Sequence, residues 1–283
     1  MLKLIECPRD AMQGIPGFID TAIKAAYINQ LLEVGFDTVD FGSFVSPKAI
    51  PQMRDTEEVL GLLDLHGSKS KLLAIVANLR GAEDACQFPE IDYLGFPLSV
   101  SETFQKRNTN ASIRQALNTV EEIQNLCEVK GKVLVTYLSM GFGNPYGDPY
   151  SPELVAGLVE KLDGLGVKII SLSDTIGIAD AGLIGSLLGL QISAFPHIEF
   201  GAHLHSRPAD IATKIRAGAK AGCRRFDGAL KGFGGCPMAD DELVGNMATE
   251  VVIETLESAG FDLGINKLEF AEAMKLAGFV FNP

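Results

Sequence analysis

The sequence predicts a (β/α)8 barrel, a TIM barrel, as a single domain over residues 1–283. Three observations carry that expectation. Eight short apolar or β-branched runs alternate with longer helical patterns from end to end, at a spacing of roughly 35 residues, close to the unit of such a barrel. Glycines stand where the helical patterns should stop, and glycine is the residue that closes a helix most readily. The unusual polar residues fall at the C-terminal ends of the strand candidates, on the face where barrel enzymes keep their chemistry.

Taken in order, the first strand candidate is Leu2–Glu6, followed by Arg9 and Asp10. A helical pattern over Thr21–Glu33 puts Ile23, Ala26, Tyr27 and Leu31 on one stripe and ends at Gly35. The second strand, Thr38–Phe41, brings Asp40 and Ser43 to its end, and the third, Leu72–Ala77, ends at Asn78. Tyr93–Phe96 is the fourth; a helix over Ser112–Val129, closed by Gly131, leads to the fifth, Val133–Leu138. A helix over Pro152–Leu165 stops at Gly166 before the sixth strand, Ile169–Leu172, which delivers Asp174 and Thr175. The seventh, Ile198–His203, delivers His203 and His205; a helix over Pro208–Gly222 precedes the eighth, Arg225–Ala229, with Cys236 beyond it. A last pattern over Leu243–Ala259 ends at Gly260. A doubly wound open sheet is the other fold with this alternation. It is disfavoured because no G-x-G-x-x-G follows the first strand and because eight units exceed what an open nucleotide-binding sheet needs.

With 283 residues, 47% of them hydrophobic, the chain can bury a large core. A net charge of −12 opposes nucleic acid and anionic membrane as partners. Lys3 interrupts the first apolar run and Glu6, Pro8, Arg9 and Asp10 follow at once, which fits neither a secretory signal nor a transit peptide; no charge-free run reaches membrane-spanning length. A cytoplasmic protein is the expectation. Cys7, Cys86, Cys127, Cys223 and Cys236 are odd in number and contain no C-x-x-C pair, so they read as reduced thiols.

Residues i and i+2 of a strand share a face, so His203 and His205 can present two imidazoles to one ion. With the Asp10 carboxylate they form a mixed oxygen and nitrogen set suited to Mg²⁺, Mn²⁺, Fe²⁺, Co²⁺ or Zn²⁺. Three protein ligands with positions left open describe a catalytic centre rather than a closed structural one. His66 and His197 read as surface residues. The stretch Lys231-Gly-Phe-Gly-Gly-Cys-Pro237 puts a thiol in a glycine-rich loop, where Cys236 can act as a proton donor. Gly141-Phe-Gly-Asn-Pro-Tyr-Gly147 is a second such loop, without the lysine of a phosphate-binding loop.

Six pieces stand in order along the chain: Glu6-Cys-Pro-Arg-Asp-Ala-Met-Gln13, Gly42-Ser-Phe-Val-Ser-Pro-Lys48 with Pro51-Gln-Met53, Ser171-Leu-Ser-Asp-Thr-Ile-Gly177, His203-Leu-His205, Gly234-Gly-Cys-Pro237 and Gly245-Asn-Met-Ala-Thr-Glu250. Together they resemble the motif series of 3-hydroxy-3-methylglutaryl-CoA lyases. The wider group comprises metal-dependent lyases and synthases on a (β/α)8 barrel. By position the resemblance implies Asp10, His203, His205 and Asn246 as metal ligands. It implies a catalytic set of Arg9, Cys236, His203, Asp174, Asp40 and Glu250, in which Arg9 stabilises an enolate, Cys236 is a general acid and Asp174, Asp40 and Glu250 support the site. Arg9, Gln13, Asn78 and Thr175 are its implied substrate contacts. The implied cofactor is a divalent metal, Mg²⁺ or Mn²⁺ before Zn²⁺ or Co²⁺. The implied partner is an acyl-CoA, the assembly a homodimer, and the reaction retro-Claisen cleavage to acetoacetate and acetyl-CoA.

Departures from the family pattern concern the mouth of the barrel. Ser206-Arg-Pro-Ala209 follows the histidines where Asp-Thr-x-Gly is usual, and Asp240-Asp-Glu-Leu-Val-Gly-Asn246 replaces a usual Gly-Ala-Ser-Gly-Asn. Asp40 stands where glutamate is common and Asn144 where a second loop cysteine is common. Two other functions therefore compete: a related aldolase or Claisen-condensing synthase acting on another acyl-CoA or 2-oxo acid, and a ligand-binding barrel without turnover. Lys48, Arg80, Lys106 and Arg107 follow strand ends and are the cations available to CoA phosphates.

Overall fold

In the computed structural model, which describes residues 2–235 and 244–281, eight parallel strands close into a barrel in sequence order. They are β1 Lys3–Glu6, β2 Thr38–Ser43, β3 Lys71–Ile75, β4 Ile91–Ser99, β5 Val133–Ser139, β6 Ile169–Asp174, β7 Glu199–Leu204 and β8 Arg225–Gly228. Closure is made by β1, whose Ile5 pairs with Thr38 of β2 on one side and with Asp227 of β8 on the other. All eight predicted strands are present. β4 outruns its prediction at both ends, because Ile91 pairs with Leu72 of β3 at one end and pairing with β5 up to Ser99 carries the extended backbone through Pro97 at the other.

Around the barrel run α1 Pro8–Gln13, α2 Thr21–Val34, α3 Thr56–Leu60, α4 Leu79–Ala85, α5 Glu102–Thr109 and α6 Ile113–Lys130. They are followed by α7 Pro152–Gly164, α8 Ala181–Ala194, α9 Ile211–Lys220, α10 Thr249–Ser258 and α11 Lys267–Phe281. Local signals set their ends. Asp20 caps α2 by accepting from the Ala22 N–H, Ser112 and Gln115 form a reciprocal capping box at α6, and Pro152 occupies the first turn of α7. Gly35 and Gly131 end α2 and α6 in the left-handed region, at φ of 92° and 68°, a conformation that costs any residue with a Cβ.

Helix faces and the outer strand face make one continuous core, with Ile28, Val39, Leu94, Val120, Leu172 and Phe226 all fully buried. Alternation along the strands sends a second, smaller set inward, where Leu73, Ile75, Val135, Tyr137 and Ile169 cluster inside the barrel. At its foot Lys3 meets Glu199 at 2.6 Å and the fully buried Arg225 meets the same carboxylate at 3.2 Å.

One element departs from its prediction in kind. The helix expected from Leu243 starts only at Thr249. Residues 244–248 are non-helical: Asn246 bridges antiparallel to His205, and Ala248 bridges parallel to Ala229. Pairing with strand ends outcompetes helical periodicity there. Asn246 is thereby delivered to the barrel mouth.

Candidate metal centre at the barrel mouth

Four segments build the site. Immediately after β1, Cys7 and Pro8 start the short helix α1, and the turn aims Arg9, Asp10 and, four residues on from Arg9, Gln13 into the barrel mouth. β2 brings Asp40, and β7 brings His203 with His205 just past its end. The bridged segment brings Asn246.

Arg9 is held on every side. Its Nε donates to both Asp40 oxygens, at 3.2 and 3.1 Å, and Nη2 to Asp40 Oδ2 at 2.5 Å. Nη1 donates to Asp10 Oδ1 at 3.0 Å and to Gln13 Oε1 at 2.7 Å. The guanidinium is almost wholly buried. Burial opposes its charge, but Asp40 and Asp10 outweigh burial and hold the arginine more firmly protonated than usual. Asp40 is itself pushed up to about 6, first by burial, with Arg9 pulling the other way. Burial also works against ionisation of Asp10, yet the charges of Arg9, His203 and His205 keep it below the ordinary carboxylate range.

Ligand atoms of Asp10, His203 and His205 lie within 4.8 Å of one another. The two imidazole rings are 5.4 Å apart, as expected for positions i and i+2. Burial, then the neighbouring His203, depresses His205 to about 4, so the ring is neutral. Its Nδ1 is buried and finds no hydrogen-bond partner among the described residues. The Asn246 side chain donates from Nδ2 to Asp10 Oδ2 at 2.7 Å and to the Phe233 carbonyl at 2.9 Å, which leaves Oδ1 as its acceptor end. An ionised carboxylate, a neutral imidazole and a carboxamide oxygen are the donor states a divalent cation requires. The residues present fit such an ion.

Asp10, His203 and His205 line a cavity of about 190 Å³ together with the apolar Val45, Ile50, Ile75, Pro97 and Phe104 and the polar Ser139, Ser173 and Thr175. Thr175 lines it while accepting from the Met140 N–H at 2.9 Å. Gln13 lines it as well.

Three predicted site residues lie elsewhere. Asn78 caps α4, accepting from the Gly81 N–H at 2.9 Å, and borders a neighbouring pocket with Arg80 rather than this cavity. Asp174 points away from the cavity: its oxygens accept from the Ile178 and Ala179 N–H groups at 3.1 and 3.0 Å and meet Lys214 at 3.4 Å. Since Lys214 also donates to the His205 carbonyl at 3.1 Å, Asp174 braces the site from behind. Glu250, on α10, accepts from the Lys231 N–H at 3.0 Å and reaches no lining residue. Asn78 and Asp174 lie at strand ends, where the following turn uses their side chains, whereas Glu250 is taken up by Lys231, 19 residues earlier. Cys236 lies outside the described residues.

Sequence reasoning passed over Tyr137, whose ring meets His203 edge-on at 5.6 Å, and Asp227, which pairs with His203 Nδ1 at 3.1 Å. Both face inward. The signal for each was present in the alternation of β5 and β8.

The chain matches the HMGL-like family over residues 3–277. It is 33% identical over 276 residues to the mitochondrial hydroxymethylglutaryl-CoA lyase of Bos taurus, spanning 96% of this chain and 83% of that protein. It is 32% identical over 268 residues to a hydroxymethylglutaryl-CoA lyase of Bacillus subtilis, spanning 95% and 89%. Among solved structures, the HMG-CoA lyase from Brucella melitensis superposes with a TM-score of 0.91 at 29% identity, covering 100% of this chain and 99% of its own. An HMG-CoA lyase from Acinetobacter baumannii in complex with coenzyme A and 3-methylmalate superposes at 0.91 with 31% identity, covering 99% and 91%.

Proposed function

Because the chain belongs to the HMGL-like family, we propose that it is a hydroxymethylglutaryl-CoA lyase, cleaving 3-hydroxy-3-methylglutaryl-CoA to acetoacetate and acetyl-CoA. The observation that carries this reading is the convergence of Asp10, His203 and His205 within 4.8 Å beside the clamped Arg9.

In this reading Asp10, His203, His205 and Asn246 hold a divalent ion, Mg²⁺ or Mn²⁺ in preference to Zn²⁺ or Co²⁺ because two of the four donors are oxygens. When bound, the ion supplies Lewis acidity that lowers the pKa of the substrate's tertiary hydroxyl. Of the two candidate bases, Asp10 and His203, Asp10 takes the hydroxyl proton, since one His203 nitrogen would hold the ion and the other faces Asp227 at 3.1 Å. Electrons of the O–H bond become the new ketone, the C2–C3 bond breaks, and its electron pair passes to the thioester as an enolate. Arg9 supplies fixed positive charge where the enolate oxygen develops, and its hydrogen bonds to Asp40, Asp10 and Gln13 mean that it need not reorganise to do so. Cys236 then returns one proton to carbon. Gln13 and Thr175 line the acyl cavity, while Asp40 holds Arg9 and Asp174 and Glu250 serve as supports. Lys106 and Arg107 on α5, the helix whose Phe104 and Asn108 line the cavity, are the cations best placed for CoA phosphates. No helix among the described residues is long and apolar enough to cross a membrane; a cytoplasmic homodimer completes the reading.

The test is to incubate the protein with 3-hydroxy-3-methylglutaryl-CoA and Mg²⁺ or Mn²⁺ and to measure acetoacetate enzymatically and acetyl-CoA by mass spectrometry. Both products should appear in equal amounts, and a chelator should stop them. Turnover of a different hydroxyacyl-CoA with none of this one would replace the substrate while keeping the reaction class.

A further inference from the structure

Beneath the barrel mouth lies a layer of inward-facing polar groups that the chemistry above does not use. Asp227, on β8, is 2% exposed; one oxygen pairs with His203 Nδ1 at 3.1 Å, and the other is buried without a hydrogen-bond partner among the described residues. Two residues earlier on the same strand, and so on the same face, Arg225 is wholly buried. Its Nη1 meets Glu199 at 3.2 Å, while Nε and Nη2 are buried without a hydrogen-bond partner among the described residues. The neighbouring Tyr137 Oη and Ser171 Oγ are likewise buried without a hydrogen-bond partner among the described residues. Room for this layer comes from Gly201 of β7, where a Cβ would stand 3.0 Å from Ser171 Oγ and 3.1 Å from Arg225 Cδ.

Resting on the metal reading of the site, we propose that Asp227 is a positioning residue: it holds His203 in the tautomer with the proton on Nδ1, so that the bare Nε2 faces the ion. A neutral imidazole carries one N–H, and the ring nitrogen facing a carboxylate acquires it, because a carboxylate only accepts. Carboxylate partners of this kind fix ring orientation and raise ligand basicity in metal sites generally. Arg225 gives the arrangement its direction. Of the charges around Arg225, that of Asp227 does most to offset burial and keep the guanidinium protonated, and a guanidinium only donates. An asparagine at 227 would satisfy Arg225's side of the layer with its oxygen and turn its amide N–H₂ toward His203. The ring would then accept on Nδ1 and carry its proton on Nε2, the wrong nitrogen for a metal ligand.

The test compares wild type with Asp227→Asn. The free Mn²⁺ remaining in a titration, followed by electron paramagnetic resonance, should report a Kd raised about 10- to 100-fold, the usual cost of removing such a partner. In metal-free protein labelled with ¹⁵N-histidine, at a pH high enough to keep the ring neutral, the His203 pattern should change from Nδ1–H in wild type to Nε2–H in the variant. A merely structural role for Asp227 would lower thermal stability without exchanging the tautomer. Wild-type Mn²⁺ affinity in Asp227→Asn would overturn the proposal. So would an Nε2–H ring in wild type, a measurement that holds even if the variant does not fold. Failure of wild type itself to bind Mn²⁺ would remove the metal reading instead, and the wild-type tautomer would still decide the role of Asp227.

Discussion

A lysine at position 9 would keep the charge of Arg9 and lose its geometry, since one ammonium cannot fork onto Asp40 while also reaching Asp10 and Gln13. Arg9→Lys should lower kcat by about 10²–10³ with little change in KM, the signature of an interaction made in the transition state. A change confined to KM would make Arg9 an ordinary substrate contact. His205→Ala should weaken Mn²⁺ binding in an equilibrium titration, whereas the exposed His66→Ala should leave it unchanged. Equal affinity in both variants would move the ion elsewhere. At this scale the sequence was legible wherever residue type and spacing alone specify the chemistry: the i, i+2 histidines and the Arg-Asp pair converge as read. It did not show which backbone groups Asn78 and Asp174 bond, because that depends on the following turn, nor that Glu250 meets Lys231, 19 positions away. Asp227 was missed because its role depends on a neighbour 24 residues away.

Among the elements, the connection from β8 to α10 is tied at both ends by one side chain. Glu6, at the end of β1 and wholly buried, accepts from the Leu230 N–H at 2.8 Å and from Thr249 Oγ1 at 2.6 Å. Burial, opposed by those two hydrogen bonds, pushes its pKa from 4.5 to about 8. A carboxyl raised in the folded state binds more protons there than when unfolded, so its stabilising contribution is full below pH 4.5 and lost as pH rises through about 8. Glu6→Gln can still accept from Leu230 and can donate to the Thr249 hydroxyl. It should therefore flatten the fall of Tm measured between pH 5 and 9. An unchanged slope would place that titration on another group. Element types were well specified in the sequence, since a barrel strand needs only a short apolar run and a surface helix only a stripe. Boundaries were not. The predicted start of the last helical pattern at Leu243 gave way to Thr249, because the His205–Asn246 and Ala229–Ala248 bridges are tertiary contacts that no local window contains.

At the scale of the whole molecule, an ion held by residues from both ends of the chain binds the folded barrel and not the unfolded chain. Mn²⁺ at a hundredfold excess over its Kd should stabilise the fold by about 2.7 kcal/mol. In a chain of this size that is a rise of several degrees in Tm, measurable by scanning calorimetry, and it should vanish in His205→Ala. A rise that survives that substitution would assign the stabilisation to surface carboxylates, plentiful in a chain of net charge −12.

The hydrogen bond from Asn246 to Asp10 spans 236 positions of sequence, across the seam where β8 meets β1. During synthesis, Asp10 leaves the ribosome long before its partner does. A nascent chain lacking Asn246 can present the carboxylate and, later, both imidazoles and even the closing strand, but it lacks the last donor. In the proposed metal site, ion capture would thus be a late event in biogenesis, one that reports the arrival of Asn246. Truncated products released before that point would carry every early motif and no complete centre, so affinity for the ion would sort whole molecules from fragments.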